Sequence, residues 1–353
     1  MPDIKLKNVT RKYGNLVAVD NLSLSIKDGE YLCVLGPTGA GKTLLLETIM
    51  GFHKLDAGKV LFDGHDISAV PPEGRGFGYV PQNCLLFPNM TVSKNVDFGL
   101  KMRRWTEADR KLRVRETLAL FGLGSLADRM PARLSAGEKQ KVALARVFAI
   151  KPRLILLDEP LSSIDTDARR GLKDKLKRMH QELHVTVIHV THDQMEGFSL
   201  AERLAIMRDG QVIQVGDPQQ VMSNPTDELT AKFLGYENIY QAKLIQRDGD
   251  MSIVNVDNFA IKVNGIAKNE LCCIGIRPED IVVSQQPPAS GKLNVAKGVV
   301  IDYTDMGPIV TINVDVGLLV KAVVAKRQYL EMRLGQSNEV WLSFAPELVK
   351  ILG

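Results

Sequence analysis

The stretch Tyr31–Glu47, YLCVLGPTGAGKTLLLE, reads as an apolar strand, a glycine-rich loop and the beginning of a helix. The loop has the spacing G-x-x-x-x-G-K-[ST], and its glycines let the backbone wrap around a phosphate chain. Backbone amides and the helix N-terminus supply positive partial charge, a lysine adds a full charge, and a threonine hydroxyl can hold Mg²⁺. The predicted nucleotide-binding residues are Gly36, Pro37, Thr38, Gly39, Ala40, Gly41, Lys42 and Thr43.

Composition limits the class of protein. The chain has 353 residues, and since single cores stop growing at about 250–300 residues, two domains are expected. The formal net charge is only +4, with basic and acidic residues interleaved, which argues against a dedicated nucleic-acid binder. The N-terminus lacks an apolar signal segment, and no stretch approaches the ~18–20 apolar residues of a membrane span. We therefore expect a cytosolic chain whose membrane role is by association.

The cysteines indicate neither a zinc site nor a disulfide scaffold. They are Cys33, Cys84, Cys272 and Cys273, without a C-x-x-C spacing, and one lies in an apolar strand. A reducing compartment fits this usage.

Short apolar runs before the phosphate loop predict antiparallel strands with tight turns over residues 3–34. The runs are Ile4–Leu6, Leu22–Ile26 and Tyr31–Val34. Tyr13 lies in the first turn, where its ring either packs on the turn or stacks on an adenine ring. After the loop, a helix over Lys42–Met50 is expected to end at Gly51.

A strand over Gly76–Val80 leads to Gln82. A glutamine at this strand end can ligate Mg²⁺ and sense the γ-phosphate, although on its own Gln82 is better read as an ordinary polar loop residue. From Leu85 to Arg146 the composition becomes helical, with Thr91 as a predicted N-cap. The periodic apolar residues of Ala108–Phe121 are Leu112, Leu118 and Phe121.

The helical region contains the segment Leu134–Glu138, LSAGE, followed by a strong helix. A Ser-x-Gly turn that opens a helix leaves free amides pointing outward, so Ser135 and Gly137 form a second candidate anion site. Taken alone, the turn is better read as a plain N-cap by Ser135.

The run Leu154–Leu157 is apolar throughout and predicts a strand buried on both faces, as in a parallel sheet. Asp158 and Glu159 follow it, at the edge where ligands bind in open α/β folds. Asp158 is expected to bind Mg²⁺ directly or through water, and Glu159 to polarise the attacking water. The alternative for Glu159 is a surface acid.

A charged helix follows Ser162–Asp165, and a second buried strand, Val185–Val190, leads to His192. A histidine at that edge can reach the γ-phosphate and the water. His184 is predicted to be a surface residue and His189 a core residue.

In order and spacing these motifs resemble those of ATP-binding-cassette (ABC) transporter ATPases over residues 3–235. The resemblance identifies Walker A, Q-loop, signature, Walker B, D-loop and H-loop with Gly36–Thr43, Gln82, Leu134–Glu138, Leu154–Glu159, Ser162–Asp165 and His192. It implies that Tyr13 stacks on adenine and that Glu159 is the catalytic base, with Lys42, Gln82 and His192 also acting in catalysis. One departure is Ala136, which replaces the first glycine of the usual signature.

The resemblance also implies ATP and Mg²⁺ as cofactors and a particular assembly. The loop around Lys42 covers only one side of ATP, so Ser135 and Gly137 of a second subunit are expected to complete the site in a homodimer. Integral-membrane permease subunits would dock around Leu86–Phe98, and a substrate-binding protein would act through the permease. No nucleic-acid partner is implied, and the chain is expected at the cytoplasmic side of the cell membrane as a peripheral protein.

Beyond Gly235 the sequence changes to short β-type runs with glycine turns. A weak internal repeat relates Ala242-Lys243 and Asp250-Met251 to Ala296-Lys297 and Asp305-Met306, which is either chance or a sign of two related small barrel units. Gly275–Asp280 resembles a motif in the regulatory domain of importer ATPases, and the closer resemblance is to molybdate/tungstate importers. Importers of sugar, sulfate, iron or polyamine are the alternatives, and a soluble cassette ATPase acting on nucleic acid or ribosomes is disfavoured.

The predicted fold is an α/β P-loop NTPase core with an antiparallel β subdomain and an inserted helical subdomain, followed by a small all-β, barrel-like domain of the OB/TOBE type. The predicted domains are 1–235, with the helical insert at about 85–150, and 236–353. In the second domain Ser290, Lys292 and Asn294 lie in a loop whose chemistry suits an oxyanion effector. A flexible polar connector after Pro287-Pro288 is the alternative.

Overall fold

The computed structural model describes residues 3–14, 16–162, 164–257, 259–267, 269–288 and 293–352. The chain forms two compact units, Met1–Val221 and Met222–Gly353. They divide upstream of the boundary predicted at Gly235, because the helix Glu228–Phe233 belongs to the second unit, where the Cys273 thiol lies 3.9 Å from the Glu228 carboxylate. Among the described residues, no helix has the length and apolar character needed to cross a membrane.

The strands of the first unit are β1 (Ile4–Tyr13), β2 (Leu16–Ile26), β3 (Tyr31–Leu35), β4 (Ala57–Phe62), β5 (His65–Asp66), β6 (Gly78–Val80), β7 (Leu154–Asp158), β8 (Thr186–Thr191), β9 (Arg203–Arg208) and β10 (Gln211–Gly216). Its helices are α1 (Lys42–Met50), α2 (Pro72–Arg75), α3 (Val92–Met102), α4 (Glu107–Phe121), α5 (Ala136–Ala149), α6 (Thr166–Leu183) and α7 (Gln194–Leu200). The helix α8 (Pro218–Ser223) leads into the second unit.

Two sheets position the phosphate loop. The antiparallel sheet has the order β2-β1-β4-β5, and the six-stranded sheet has the order β10-β9-β3-β8-β7-β6. The prediction that Tyr31–Val34 continues the antiparallel set is wrong, because β3 lies between β8 and β9 and is parallel to both. All five residues of β3 are buried, as expected for a strand covered on both faces.

One apolar core joins the two sheets and α1. It combines Leu6 and Val19 of the antiparallel sheet with Val34, Leu45 and Ile188. Helix α1 begins at Lys42 and ends at Gly51, whose left-handed φ of 86° terminates it as predicted. The core therefore fixes the start of α1 against the carboxyl ends of the parallel strands.

The helical region consists of α3, α4 and α5. Thr91 caps α3 as predicted, with its side chain accepting a hydrogen bond from the Lys94 N–H. Leu118 and Phe121 of α4 are buried, but Leu112 is 47% exposed, so its expected place on the apolar face is wrong. The buried face of α4 instead includes Val114, which lies four residues before Leu118 and so one helical turn away from it.

The second unit contains α9 (Glu228–Phe233) and α10 (Lys326–Glu331). Its strands are β11 (Asn238–Asp248), β12 (Met251–Val256), β13 (Phe259–Asn264), β14 (Leu271–Ile276), β15 (Val282–Ser284), β16 (Asn294–Asp305), β17 (Ile309–Asp315), β18 (Leu319–Ala325), β19 (Glu339–Phe344) and β20 (Lys350–Leu352).

These strands form two antiparallel five-stranded sheets, ordered β13-β12-β11-β14-β20 and β15-β19-β16-β17-β18. The unit has two halves, β11–β15 and β16–β20, whose strands occupy corresponding positions when one sheet order is read in reverse. The last strand of each half, β15 or β20, lies in the sheet of the other half. Val254 and Val310 from the two sheets lie in one shared core. This pairing agrees with the weak sequence repeat and explains why the two halves form one unit.

Two predicted features of the second unit have structural contacts. Arg277, in the segment Gly275–Asp280, stacks over the Tyr236 ring at 4.8 Å and donates to the Met222 carbonyl at 2.6 Å. Asn294 is 4% exposed, and its amide accepts from the Lys262 N–H at 2.7 Å and donates to the Lys262 carbonyl at 2.8 Å. Asn294 therefore ties two strands together. Ser290 and Lys292 lie outside the described residues, and the oxyanion role of the loop stays a prediction.

Candidate functional site

The loop Gly36–Thr43 connects β3 to α1 and requires glycine at defined points. Gly39 and Gly41 have φ of 86° and 94°, a region that L-residues rarely adopt. A Cβ atom on Gly36 would lie 2.2 Å from the Met207 carbonyl oxygen, and one on Gly41 would lie 2.5 Å from that of Ala18. The loop therefore wraps tightly because neighbouring backbone leaves no space for side chains.

Lys42 is held inside this loop. Its side chain is buried, and Nζ donates to the carbonyl oxygens of Gly36 at 2.7 Å and Pro37 at 2.9 Å. Burial lowers the pKa of Lys42, while the nearby carboxylates of Glu159 and Asp158 act in the opposite direction. The loop thus presents an ammonium group at the centre of the predicted phosphate site.

Thr43 and Asp158 form an oxygen pair beside the lysine. The Thr43 hydroxyl donates to the Asp158 carboxylate at 3.1 Å, and Asp158 is 3% exposed at the end of β7. Burial raises the pKa of Asp158, and the Thr43 hydrogen bond opposes this shift. A hydroxyl and a carboxylate are ligands suited to Mg²⁺. Across the described ranges, no three or more His, Cys, Asp or Glu side chains are arranged as a metal site.

Gln82, Glu159 and His192 follow three adjacent parallel strands, β6, β7 and β8. The Gln82 amide donates to Glu159 Oε2 at 3.2 Å, and His192 Nδ1 lies 3.0 Å from Glu159 Oε1. The sheet edge therefore brings together the three residues that the sequence placed there. Two further histidines were placed from the sequence, and both predictions hold: His189 is fully buried and His184 is exposed.

Ser135 acts as the N-cap of α5. Its hydroxyl accepts from the Glu138 N–H at 3.2 Å, and the Glu138 carboxylate accepts from the Ser135 N–H at 2.7 Å, which completes a capping box. No contact between described residues joins Ser135 or Gly137 to the group around Lys42. Gly137 instead lies beside Ile164, since a Cβ atom added to it would be 3.6 Å from the Ile164 side chain. The side chain of Tyr13 lies outside the described residues.

Two residues that the sequence reasoning missed support the site. The Tyr79 hydroxyl lies 3.5 Å from Asp158 Oδ2, and burial raises the pKa of this phenol well above its usual range. Arg146 of α5 donates to the carbonyls of Cys84 at 3.2 Å and Leu85 at 2.8 Å, so it fastens the loop that follows Gln82. A basic residue in the last turn of a helix was the only signal available for Arg146.

Comparison with known proteins adds independent evidence. The family model described as ABC transporter matches residues 19–162, and the model described as TOBE domain matches residues 274–352. The molybdate/tungstate import ATP-binding protein WtpC of Pyrococcus abyssi is 37% identical over 349 residues, which are 99% of this chain and 99% of that protein. The spermidine/putrescine import ATP-binding protein PotA of Thermotoga maritima is 35% identical over 354 residues, 98% of this chain and 96% of that protein.

A solved structure agrees with the first unit. A dimeric ATP-binding cassette in a post-hydrolysis state, bound to ADP and Pi, matches with a TM-score of 0.57 and 31% sequence identity. The match covers 61% of this chain and 98% of that chain. The predicted α/β cassette core and the TOBE-type β domain are thereby confirmed, and the matched family is one that binds ATP. The assignment of individual residues to the ATP site stays a prediction. The chain belongs to the import ATP-binding proteins of the ABC transporter family and carries a C-terminal TOBE domain.

Proposed function

We propose that the chain hydrolyses ATP as a homodimer to power uptake of molybdate or tungstate through a membrane permease. The observation that carries the hydrolytic part is the contact of Glu159 with both Gln82 and His192, at the sheet edge beside Lys42 and Asp158. A carboxylate held by two neighbours at the phosphate site is placed to act on water rather than to stabilise the fold.

Each residue has a role that follows from its chemistry. Lys42 binds the β- and γ-phosphates once it exchanges its carbonyl partners for phosphate oxygens. Glu159 orients the water and accepts its proton, with His192 holding the carboxylate. Thr43, Asp158 and Gln82 would hold Mg²⁺, which when bound neutralises charge on the phosphate oxygens.

The homodimer is supported by the free helix start of α5. The first amides of a helix have no intrahelical acceptor, and the capping box uses only the third, that of Glu138. The amides of Ala136 and Gly137 can therefore meet the ATP of a second subunit, and both residues are at least partly exposed. The solved cassette bound to ADP and Pi is itself dimeric.

A permease is expected to dock on the helical region. Between α3 and α4 lies a cavity of about 490 Å³, with Val114, Leu118 and Ala119 among its apolar lining residues and Lys94 and Asp97 among its charged ones. An amphipathic helix from the membrane subunit fits such a groove, because its apolar face can cover the floor while polar residues meet the rim. Lys94 and Asp97 lie in the segment predicted for docking, and this contact would keep the chain at the cytoplasmic side of the membrane.

The transported solute is proposed from the relatives named for molybdate/tungstate import. The test is ATP-driven uptake in liposomes that contain the full chain, its permease and its binding protein. Uptake of labelled molybdate, unaffected by excess sulfate or spermidine, is expected. Uptake of spermidine instead would favour polyamine import, for which PotA is the named relative. Recovery of RNA or ribosomes rather than a permease would contradict the importer proposal as a whole.

An oxyanion effector is the regulatory part of the proposal. Tungstate added on the ATPase side should inhibit hydrolysis by about 5- to 150-fold, the range of a typical coupling free energy of ~1–3 kcal/mol. The double substitution of Ser290 and Lys292 by alanine should relieve this inhibition without changing the uninhibited rate. Inhibition that is equally strong in this variant would remove the loop from the effector site.

A further inference from the structure

Two loops hold the Glu159 backbone and side chain from opposite sides. In the segment Ser162–Asp165, the Ser162 hydroxyl and N–H donate to the Glu159 carbonyl at 2.9 and 3.2 Å. In the turn Thr191–Asp193, His192 contacts the Glu159 carboxylate at 3.0 Å. The position of the base therefore depends on both loops at once.

Arg169, near the start of α6, joins these two loops. Its Nη2 donates to the Ile164 carbonyl at 3.1 Å, and its Nη1 lies 3.6 Å from Oδ2 of Asp193. The other oxygen of Asp193 accepts from the N–H groups of Met195 and Glu196 and caps α7. Arg169 thus acts on an aspartate that is already fixed to its own helix.

The turn beside His192 has a further anchor. The Thr191 hydroxyl accepts from the Asp193 N–H at 3.0 Å and donates to the buried Glu196 carboxylate at 2.8 Å. A shift of Asp193 is therefore transmitted to His192, because the residues on both sides of the histidine are held by hydrogen bonds. The contacts close a ring that runs through Glu159, the Ser162–Asp165 segment, Arg169 and the His192 turn.

We propose that Arg169 is a positioning residue that sets His192 on Glu159 according to the position of the Ser162–Asp165 segment. The inference rests on the proposed roles of Glu159 and His192. The Arg169 and Asp193 side chains are 37% and 31% exposed, and ion pairs exposed to this extent contribute little to stability. The property of Arg169 that matters for positioning is its forked guanidinium group, which contacts the Ile164 carbonyl and Asp193 at the same time.

The same contacts reach the predicted partner-facing turn. Ile164, whose carbonyl Arg169 holds, packs beside Gly137 at the start of α5. If Gly137 meets the ATP of the second subunit, closure there moves Ile164 and, through Arg169, the turn that carries His192. Arg169 then links the arrival of one nucleotide to the geometry of the base at the other.

The experiment measures ATP hydrolysis by the full chain. Arg169→Ala should lower kcat at least about tenfold and leave KM for ATP within about twofold, because the ground-state phosphate contacts are untouched. Arg169→Lys keeps the charge but lacks the two-pronged donor, so its kcat should lie between that of wild type and that of Arg169→Ala. Arg170→Ala, an exposed neighbour on the same helix, is the matched control and should stay within about twofold of wild type.

A double substitution separates positioning from a general structural effect. Single-turnover release of labelled phosphate resolves slow rates, so Arg169→Ala can be compared in wild-type and His192→Ala backgrounds. If Arg169 acts through His192, the second comparison should show less than about a twofold loss, whereas independent roles give losses that multiply. Multiplying losses, or a raised KM for ATP with unchanged kcat, would overturn the inference.

The controls also separate this inference from the proposed function. If Glu159→Gln and His192→Ala keep wild-type turnover, the proposed roles of Glu159 and His192 are wrong. The inference about Arg169, which rests on those roles, then fails with them. If both slow hydrolysis while Arg169→Ala does not, the inference alone is overturned. If Arg169→Ala has a lower Tm and its kcat returns to the wild-type value on cooling, Arg169 has a structural role. That result would also contradict the proposal.

Discussion

Gly41→Ala tests whether the neighbouring backbone leaves space for a side chain at this position of the phosphate loop. Gly41 has φ of 94° and ψ of 10°, and an alanine in the left-handed region costs roughly 1–2 kcal/mol. The new Cβ would also lie 2.5 Å from the Ala18 carbonyl oxygen, about 0.8 Å inside an ordinary C···O contact. Relieving such overpacking costs about 1–3 kcal/mol more. We therefore expect a total loss of about 2–5 kcal/mol.

Gly39→Ala is the matched comparison. Gly39 has φ of 86°, but its Cβ would meet no atom within 4 Å, so only the conformational cost of about 1–2 kcal/mol applies. The assay is urea unfolding of the nucleotide-free chain, followed by a fluorescence probe in the first unit. Gly41→Ala should be the less stable variant by at least about 1 kcal/mol. Equal stabilities would refute the argument that contact with the Ala18 backbone, and not φ alone, requires glycine.

The other predictions concern the chemistry of the site. Glu159→Gln should bind ATP normally, hydrolyse it at least about 10²-fold more slowly and trap a closed dimer, whereas Lys42→Ala should lose ATP binding; size-exclusion chromatography with ATP and phosphate release distinguish them. Ala136→Gly should keep ATPase activity within about tenfold, and Ser135→Arg should abolish ATP-dependent dimerisation. Burial raises the pKa of Asp158 in the folded chain, so the ionised carboxylate destabilises the fold at neutral pH. Asp158→Asn should therefore raise the free energy of unfolding at neutral pH. This gain should vanish as the pH falls below 3.8, the ordinary pKa of an aspartate. A gain that grows on acidification would contradict that sign.

Local patterns predicted the phosphate loop well. The glycine spacing and the apolar runs on both sides decide the loop and α1, and the structure begins and ends that helix at the predicted residues. The grouping of Gln82, Glu159 and His192 was also predictable, because each follows a strand and the carboxyl ends of parallel strands share one edge. The roles of these residues in the reaction stay predictions.

Long-range pairing was the part that local patterns missed. An apolar run such as β3 fits either sheet of the first unit, and only its neighbours in space, β8 and β9, decide that it is parallel. In the second unit β15 pairs with β19, while β20 pairs with β14. A signal for this exchange was present, since each short last strand follows a Pro-Glu pair in a 3₁₀ turn, at Pro278 and at Pro346.

The backbone at Glu159 is strained, and this strain accompanies the position of its carboxylate in the site. Glu159 has φ of 45°, an unfavourable region for a residue with a Cβ, and such strain costs of order 1–3 kcal/mol unless the surroundings impose it. Its N–H donates to the Val190 carbonyl at 2.9 Å and its carbonyl accepts from Ser162, so both sides of the residue are fixed. Glycine would relieve the strain but remove the carboxylate. The strained turn directs the Glu159 carboxylate between Gln82 and His192. Hydrogen bonds from the adjacent strand and from the following segment offset its cost.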